Sequence, residues 1–129
     1  MGPRVLSAQI RDPSIEDQYA PAPVADCRAY AHCHRTQMGD VSLVVLNGAS
    51  RVARRVALPE EFASLSRLEY HMTAPSDVFD DQVLLNGMRL DAVDAELAPR
   101  RVAGGPLTLA PASYVVVVVE GARFGPCLG

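Results

Sequence analysis

Hydrophobic and polar positions alternate over short intervals along this chain, and most apolar runs end at glycine, proline or Asn-Gly. The longest apolar run is "YVVVVV", from Tyr114 to Val119. Its β-branched residues favour a strand over a helix. A continuous apolar strand is typical of burial on both faces, or of one face on the core and the other beneath a neighbouring element. We therefore predict that this strand is central to the core.

The segment "RLEYHMTA", residues 67–74, shows the cleanest alternation of apolar and polar residues. Its positions form two sets: Leu68, Tyr70 and Met72 on one face, and Arg67, Glu69, His71 and Thr73 on the other. Side chains of a strand alternate between its two faces, so the pattern predicts a half-buried antiparallel strand. We expect the polar set, including His71, to face solvent.

Other segments predict further short strands separated by turns. They are residues 4–10, 28–34, 41–47, 51–58, 83–85, 88–90 and 107–110, with a short helical turn at 59–65. Asn47-Gly48 predicts that 51–58 returns as the hairpin partner of 41–47. Asn86-Gly87 predicts a tight type I′ turn, because both central residues of that turn need positive φ. About eight short antiparallel strands at intervals of roughly 10 residues indicate an all-β fold, a β-sandwich.

The length of 129 residues fits a single domain, 1–129, with a proline-rich loop at 11–26. The net charge of −3 gives no electrostatic case for nucleic acid as a partner. A membrane-spanning helix needs about 20 apolar residues, so no transmembrane segment is expected. The first residues lack the apolar stretch of a signal peptide, and the chain read alone would be placed in the cytosol.

Three cysteines allow three pairings, with one thiol left over. A bridge between Cys33 and Cys127 would close a loop of about 95 residues and contribute at most about 4–5 kcal/mol. The residues alone leave open whether this bridge or buried thiols occur. Zinc bound by Cys27, His32, Cys33 and His34 is disfavoured, because the two histidines and Cys33 point to opposite faces of a strand. We predict no metal site and no cofactor.

Two sets of charged residues are candidates for chemistry. The acidic set is Glu60, Glu61, Asp80, Asp81, Asp91, Asp94 and Glu96. These acids lie in polar, turn-like stretches, which indicates solvated surface and no catalytic residue. The candidate sulfate-binding set is Arg51, Arg55, Arg100 and Arg101. In a strand Arg54 would point away from Arg51 and Arg55, so a charged edge strand is the simpler interpretation.

Four segments, taken in order, cover nearly the whole chain: "GPRVLSAQI", "RAYAHCHRTQMGDVSLVVLN", "QVLLNGMRLDAVDAELAP" and "PLTLAPASYVVVVVEGARFGPC". The first is similar to a strand that, in a known family, follows the last helix of a (β/α)8 barrel. The second is similar to two successive strands of that family, one containing Tyr-x-His-Cys and the next containing Gly-Asp-x-x-Leu. The third is similar to a Leu-Asn-Gly stretch leading to Val-Asp and Leu-Pro. The fourth is similar to an apolar strand after Pro-x-Ser-Tyr that precedes a short tail and a Cys. Together they resemble the C-terminal domain of heparanase-like glycoside hydrolases.

The resemblance implies a parent protein that cleaves heparan sulfate as a retaining endo-β-glucuronidase and joins a (β/α)8 barrel to a C-terminal β-sandwich. It maps the disulfide of the family onto Cys33 and Cys127 and leaves Cys27 as the odd thiol. It also implies entry into the secretory pathway, with lysosomes or the extracellular matrix as destinations. The family sandwich receives a strand from before the barrel, and without it an unpaired edge is expected.

The resemblance stops short of the catalytic apparatus. Retaining glycosidases need two carboxylates about 5–5.5 Å apart, and the family carries both on a barrel of about 250 residues. No residue of this chain matches either glutamate, so we expect the chain alone to be inactive. The expected role is a non-catalytic domain that supports the folding, stability and secretion of the barrel. The alternative is a stand-alone binding or signalling module that engages heparan sulfate or a cell-surface partner.

Overall fold

The computed structural model describes residues 4–8, 10, 27–35, 37–74, 83–89 (backbone only for 88 and 89) and 99–128. Within these residues the strands are β1 (Val5–Leu6), β2 (Cys27–Cys33), β3 (Val41–Asn47), β4 (Arg54–Val56), β5 (Arg67–Thr73), β6 (Leu84–Leu85), β7 (Met88–Arg89), β8 (Arg100–Val102), β9 (Leu107–Leu109) and β10 (Ser113–Val119). A short helix, α1 (Glu60–Ala63), and a 3₁₀ turn (Gly125–Cys127) complete them. The predicted all-β class is confirmed.

The larger sheet is antiparallel and has the strand order β1-β2-β3-β10-β5-β6-β7, with β8 also paired to β5. β10 lies between β3 and β5, so that Val116 is opposite Val44 on one side and Tyr70 on the other. Val115, Val117 and Val119 are fully buried on one face, called here the inner face. The valine strand is therefore central to the core, as its composition predicts.

A smaller layer covers the inner face. It consists of the two-stranded sheet β4-β9 together with α1. Leu107 and Leu109 of β9 and Phe62 of α1 belong to the same buried cluster as the inward residues of β3 and β10. Two layers that enclose one apolar core form a sandwich-like fold.

The predicted hairpin between residues 41–47 and 51–58 is wrong. β4 pairs with β9, and both edges of β3 are occupied, by β2 and by β10. The turn after β3 is set by the buried side chain of Asn47, whose Nδ2 donates to Val52 O at 2.8 Å and to Ala110 O at 3.0 Å. The Oδ1 atom of Asn47 accepts from Ala49 N at 3.1 Å. These bonds direct the chain into the smaller layer instead of back along β3.

The predicted Asn86-Gly87 turn is confirmed, with φ values of +48° and +81° between β6 and β7. The side chain of Asn86 has a second role. Its Oδ1 accepts from His71 N at 2.8 Å, and its Nδ2 donates to Glu69 O at 3.0 Å. The side chain of Asn86 thus hydrogen-bonds the backbone of β5 in the interval between the part of β5 that pairs with β8 and the part that pairs with β6.

The C-terminal tail is held against the turn between β2 and β3. A disulfide joins Cys33 and Cys127, whose Cα atoms are 5.3 Å apart. Two backbone hydrogen bonds lie beside it, from Gly39 N to Cys127 O at 3.0 Å and from Phe124 N to Gly39 O at 2.9 Å. The pairing implied by the resemblance is therefore present, and Cys27 is buried on β2 outside it.

The close approach of the tail makes Gly39 a position that requires glycine. Its φ is +88°, and a Cβ there would lie 2.9 Å from Leu128 Cδ2 and 3.0 Å from Arg123 Cα. We expect Gly39→Ala to lower the free energy of unfolding by roughly 1–3 kcal/mol more than Gly121→Ala. Gly121 is the matched control, because its φ is +68° with no atom within 4 Å of a Cβ. Equal losses in urea unfolding of the two variants would contradict the close contact.

Candidate functional site

A cleft of about 910 Å³ opens between the inner face of the larger sheet and the smaller layer. Its walls are mainly aliphatic and aromatic: Ala29, Leu43 and Val45 from the larger sheet, and Val56, Leu58 and Phe62 from the smaller layer. A concave apolar site of this size lies within the range of protein binding pockets. The cleft is the candidate functional site of the described residues.

One rim of the cleft is a strand edge with charged side chains. Within the described part of the chain, β4 pairs on one side only, with β9. Arg54 lies opposite the buried Leu109 and faces the inner side, whereas Arg55 lies opposite Thr108 and is exposed. Glu61 of α1 also borders the cleft. An open strand edge beside apolar walls suits an added strand, whose backbone pairs with the edge while alternate side chains enter the pocket.

The face of β5 that the sequence pattern predicts to be exposed to solvent instead packs against the core. Arg67, Glu69 and His71 are buried, with exposed fractions of 1%, 4% and 8%, so the prediction of an exposed His71 is wrong. The register with β10 explains the reversal, because these residues lie opposite Val119, Val117 and Val115 on the inner face. Leu68, Tyr70 and Met72 are only partly buried on the outer face.

The three buried groups form one hydrogen-bonded chain. Arg67 Nε donates to Glu69 Oε2 at 2.6 Å, and His71 Nε2 lies 2.6 Å from Glu69 Oε1 and carries the proton, because a carboxylate only accepts. The guanidinium also donates to Gly105 O at 2.6 Å and to Pro106 O at 3.1 Å. Arg67 therefore ties β5 to the loop that leads into β9. Opposite charges at alternate positions of one strand are the sequence signal for this chain of bonds.

The environment of Glu69 makes stability depend on pH. Burial alone would raise the pKa of its carboxyl, but hydrogen bonds from His71 and Arg67 and their charges outweigh burial and hold the pKa below the ordinary value of 4.5. The carboxylate thus stabilises the fold fully above pH 4.5, and this contribution is lost as the pH falls toward the lower folded-state pKa.

We expect the free energy of unfolding of the wild-type chain to fall on acidification below pH 4.5, and part of that slope to be missing in Glu69→Gln. Urea titrations at a series of pH values measure both slopes. Glu61→Gln, which changes an exposed carboxyl, is the control and should keep the wild-type slope. An unchanged slope in Glu69→Gln would contradict the assignment.

The candidate sulfate-binding arginines do not share one element. Arg51 and Arg55 lie just before and within β4 of the smaller sheet, whereas Arg100 and Arg101 lie on β8, which pairs with β5 of the larger sheet. All four are exposed, and Arg101 forms an ion pair with Glu120. The structure therefore presents two separate arginine pairs.

The acidic candidates are described only in part. Glu60 and Glu61 are exposed on α1, as predicted. Asp80, Asp81, Asp91, Asp94 and Glu96 lie outside the described residues. Cys33 has its sulfur in the disulfide, and the described ranges contain no group of three or more His, Cys, Asp or Glu placed to hold a metal ion.

Comparison with known proteins gives no family assignment: no protein-family model and no curated protein matches this sequence. In the part of the chain that the structure describes, no helix has the length and apolar character needed to cross a membrane.

Proposed function

We propose that this chain is the non-catalytic C-terminal β-sandwich of a heparanase-like glycoside hydrolase. In this role it supports the folding, stability and secretion of a catalytic (β/α)8 barrel in the same parent protein. The parent cleaves heparan sulfate as a retaining endo-β-glucuronidase. The sequence segments in family order and the sandwich-like arrangement of the strands support this proposal.

The observation that carries the proposal is the open apolar cleft. An apolar cavity of this size lacks the packing contacts of a filled core, so polypeptide that enters it would add stability. A strand from elsewhere in the parent, pairing with β4 and placing apolar side chains against Leu43 and Val45, would complete the smaller sheet. The sandwich and the rest of the parent would then share one core.

The disulfide supports the secretory part of the proposal. Bonds such as Cys33–Cys127 form and persist in oxidising compartments, whereas cytosolic thiols are kept reduced. A route through the secretory pathway to lysosomes or the extracellular matrix provides that environment. The tail and the β2–β3 turn would then be joined during folding of the parent.

Sequencing of the complete transcript tests the proposal. We expect an open reading frame that continues upstream of Met1 and encodes a (β/α)8 barrel with two glutamates suited to retaining hydrolysis. The encoded protein and the 129-residue chain are then assayed on heparan sulfate, with cleavage expected from the encoded protein alone. A transcript without such a barrel, or cleavage by the 129-residue chain, would overturn the proposal.

The alternative function is a stand-alone module that engages heparan sulfate or a cell-surface partner. The exposure of the two arginine pairs favours it, since guanidinium groups bind sulfate in a bidentate manner. Salt-dependent retention on a heparin column measures this binding. Retention lost in Arg51→Ala/Arg55→Ala and kept in Arg100→Ala/Arg101→Ala would place the site on the smaller sheet, and the reverse would place it on β8.

A further inference from the structure

The C-terminal tail forms part of the wall of the cleft. We name residues 121–128 the tail strap. Phe124 and Pro126 of the tail strap border the cleft. The ring of Phe124 meets the ring of Phe62 on α1 edge to face, with the ring centroids 5.6 Å apart. Aromatic pairs of this geometry are favourable beyond the apolar area that they bury, so the contact holds the tail strap to the smaller layer.

The same segment is bonded to the turn that joins β2 and β3 in the larger sheet. Phe124 N donates to Gly39 O at 2.9 Å, and Gly39 N donates to Cys127 O at 3.0 Å. Gly121 N donates to Asp40 Oδ1 at 2.9 Å. Phe124 thus has its backbone on the larger sheet and its ring against the smaller layer. The tail strap therefore bridges the two layers at the end of the cleft where β2 and β3 are joined.

Apart from the disulfide, the bonds that hold the tail strap are short-range and lie close to solvent. Its backbone continues beyond β10 and takes no part in either sheet. Most of its residues are exposed: Gly121, Arg123, Gly125, Pro126 and Leu128. Segments of this kind open locally at low cost in free energy. The disulfide between Cys33 and Cys127 is the covalent bond that returns the tail strap to the turn after each opening.

The pairing of the larger sheet does not depend on the tail strap. β10 pairs with β3 along its whole length and with β5 from Tyr114 to Val119. Val115, Val117 and Val119 of this strand are fully buried in the core cluster. We therefore expect the tail strap to detach while the larger sheet persists.

We infer that the tail strap is a redox-controlled closure of the cleft. While the disulfide is intact, the ring of Phe124 stays against Phe62 and the cleft is closed at this end. When a dithiol reductant breaks the bond between Cys33 and Cys127, the tail strap detaches from the turn. Phe124 then leaves Phe62, and the cleft opens between the two layers.

The chemical step is a thiol–disulfide exchange with a dithiol. One thiolate of the dithiol attacks Cys127 Sγ, which lies on the segment that opens locally, and Cys33 Sγ leaves as a thiolate and takes a proton. The second thiolate of the dithiol then attacks the reductant's sulfur in the mixed disulfide, and Cys127 Sγ leaves in the same way. Two electrons and two protons pass from the dithiol, which ends as a disulfide, to the two cysteines.

The redox state of the compartment decides whether the cleft is closed. The disulfide persists in an oxidising compartment, and dithiols reduce it elsewhere. Use of this closure by a parent protein, to admit or retain a polypeptide segment in the cleft, rests on the proposed function. The closure itself belongs to the 129-residue chain and is tested on that chain alone. Its failure would leave the proposed function standing, and a transcript without a barrel would overturn only the proposed function.

Amide hydrogen exchange of the 129-residue chain, oxidised and after reduction with dithiothreitol, tests the detachment. In the oxidised chain the amides of Gly121 and Phe124 should exchange at least about tenfold more slowly than in an unfolded peptide, because both are hydrogen-bonded. In the reduced chain they should exchange as fast as in an unfolded peptide. The amides of β10 are the internal control and should stay protected by about 100-fold or more in both states.

Three results of the exchange measurement would overturn the inference. Gly121 and Phe124 amides that stay protected after reduction would show that the tail strap does not need the disulfide. Amides that are unprotected even in the oxidised chain would show that the tail strap is not closed. Loss of protection in β10 together with the tail strap would show that the disulfide supports the whole sandwich and controls no local opening.

A variant gives a second readout, which reports on the cleft itself. The fluorescence of anilinonaphthalene sulfonate, a dye that binds accessible apolar surface, should rise by roughly threefold or more when the wild-type chain is reduced. Phe124→Ala should give most of this rise while still oxidised, because it removes the ring that contacts Phe62 and keeps the disulfide. Leu128→Ala, at an exposed tail residue, is the matched control and should behave as wild type. Dye binding in oxidised Phe124→Ala equal to that of the oxidised wild type would overturn the inference.

Discussion

Replacing Cys33 by serine is expected to lower the free energy of unfolding by about 2–5 kcal/mol, the usual cost of removing a native disulfide. The bridge joins residues 94 positions apart and therefore constrains most of the unfolded chain. It also fixes the C-terminal tail, which forms two backbone hydrogen bonds with Gly39 in the turn between β2 and β3. Urea unfolding of the oxidised wild type and of Cys33→Ser under the same conditions measures the difference.

Two further variants act as controls for the disulfide. Cys127→Ser should lose as much stability as Cys33→Ser, and the double variant Cys33→Ser/Cys127→Ser should add little to either loss, because all three remove the same bond. Cys27→Ala, at a buried thiol outside the bridge, should cost less. A loss below about 1 kcal/mol in Cys33→Ser would contradict a stabilising role for the bridge.

Replacing Arg67 by methionine is expected to cost about 3–5 kcal/mol, because it removes one of the two side chains that hydrogen-bond the buried carboxylate of Glu69. The same change removes the donors to the carbonyl oxygens of Gly105 and Pro106. Methionine keeps an unbranched apolar stem, so lost packing contributes little to the difference. Chemical unfolding of the variant measures the loss.

The matched control for Arg67 is Arg101, an arginine on the neighbouring strand β8. Its ion pair with Glu120 is exposed, and such pairs contribute at most about 1 kcal/mol, so Arg101→Met should change stability little. Removing the carboxylate as well, in Arg67→Met/Glu69→Leu, should cost less than Arg67→Met alone, because no buried carboxylate is then left without the guanidinium of Arg67. Equal losses in Arg67→Met and Arg101→Met would show that the buried chain does not hold the layers together.

Several parts of the fold follow from local sequence. A run of β-branched residues can hardly form anything other than a buried strand, and β10 occupies the centre of the larger sheet. Asn86-Gly87 supplies the two positive φ angles of its turn without help from the rest of the chain. Segments with such strong local preferences are predicted well because tertiary contacts reinforce them.

The parts that sequence did not predict depend on contacts between distant residues. The alternation in residues 67–73 fixes which residues share a face but leaves open which face is inward, and the register with β10 decides this. Strand β4 pairs with β9 because the side-chain hydrogen bonds of Asn47 direct the chain into the smaller layer. The dipeptide Asn47-Gly48 indicates a turn but does not show where the chain goes after it. Strand β8 was not predicted, since its two arginines lack an apolar alternation.

The candidate site was predicted even less completely. The four candidate arginines are exposed, but their placement on two sheets is a property of the topology that the sequence does not show. No local sequence pattern predicts the cleft, because its walls come from strands far apart in sequence. Each of its apolar residues, taken alone, is typical of a buried core. Only the expectation of an unpaired edge, taken from the family resemblance, pointed toward it.

A crystal structure of the proposed parent polypeptide is the most direct test of the central claim, the proposal that this sandwich is completed by polypeptide from outside residues 1–129. We predict a segment from another part of the proposed parent in the cleft, hydrogen-bonded to the edge of β4 opposite β9 and with apolar side chains against Leu43 and Val45. A cleft that holds only solvent, or one filled by residues of this chain, would contradict the claim.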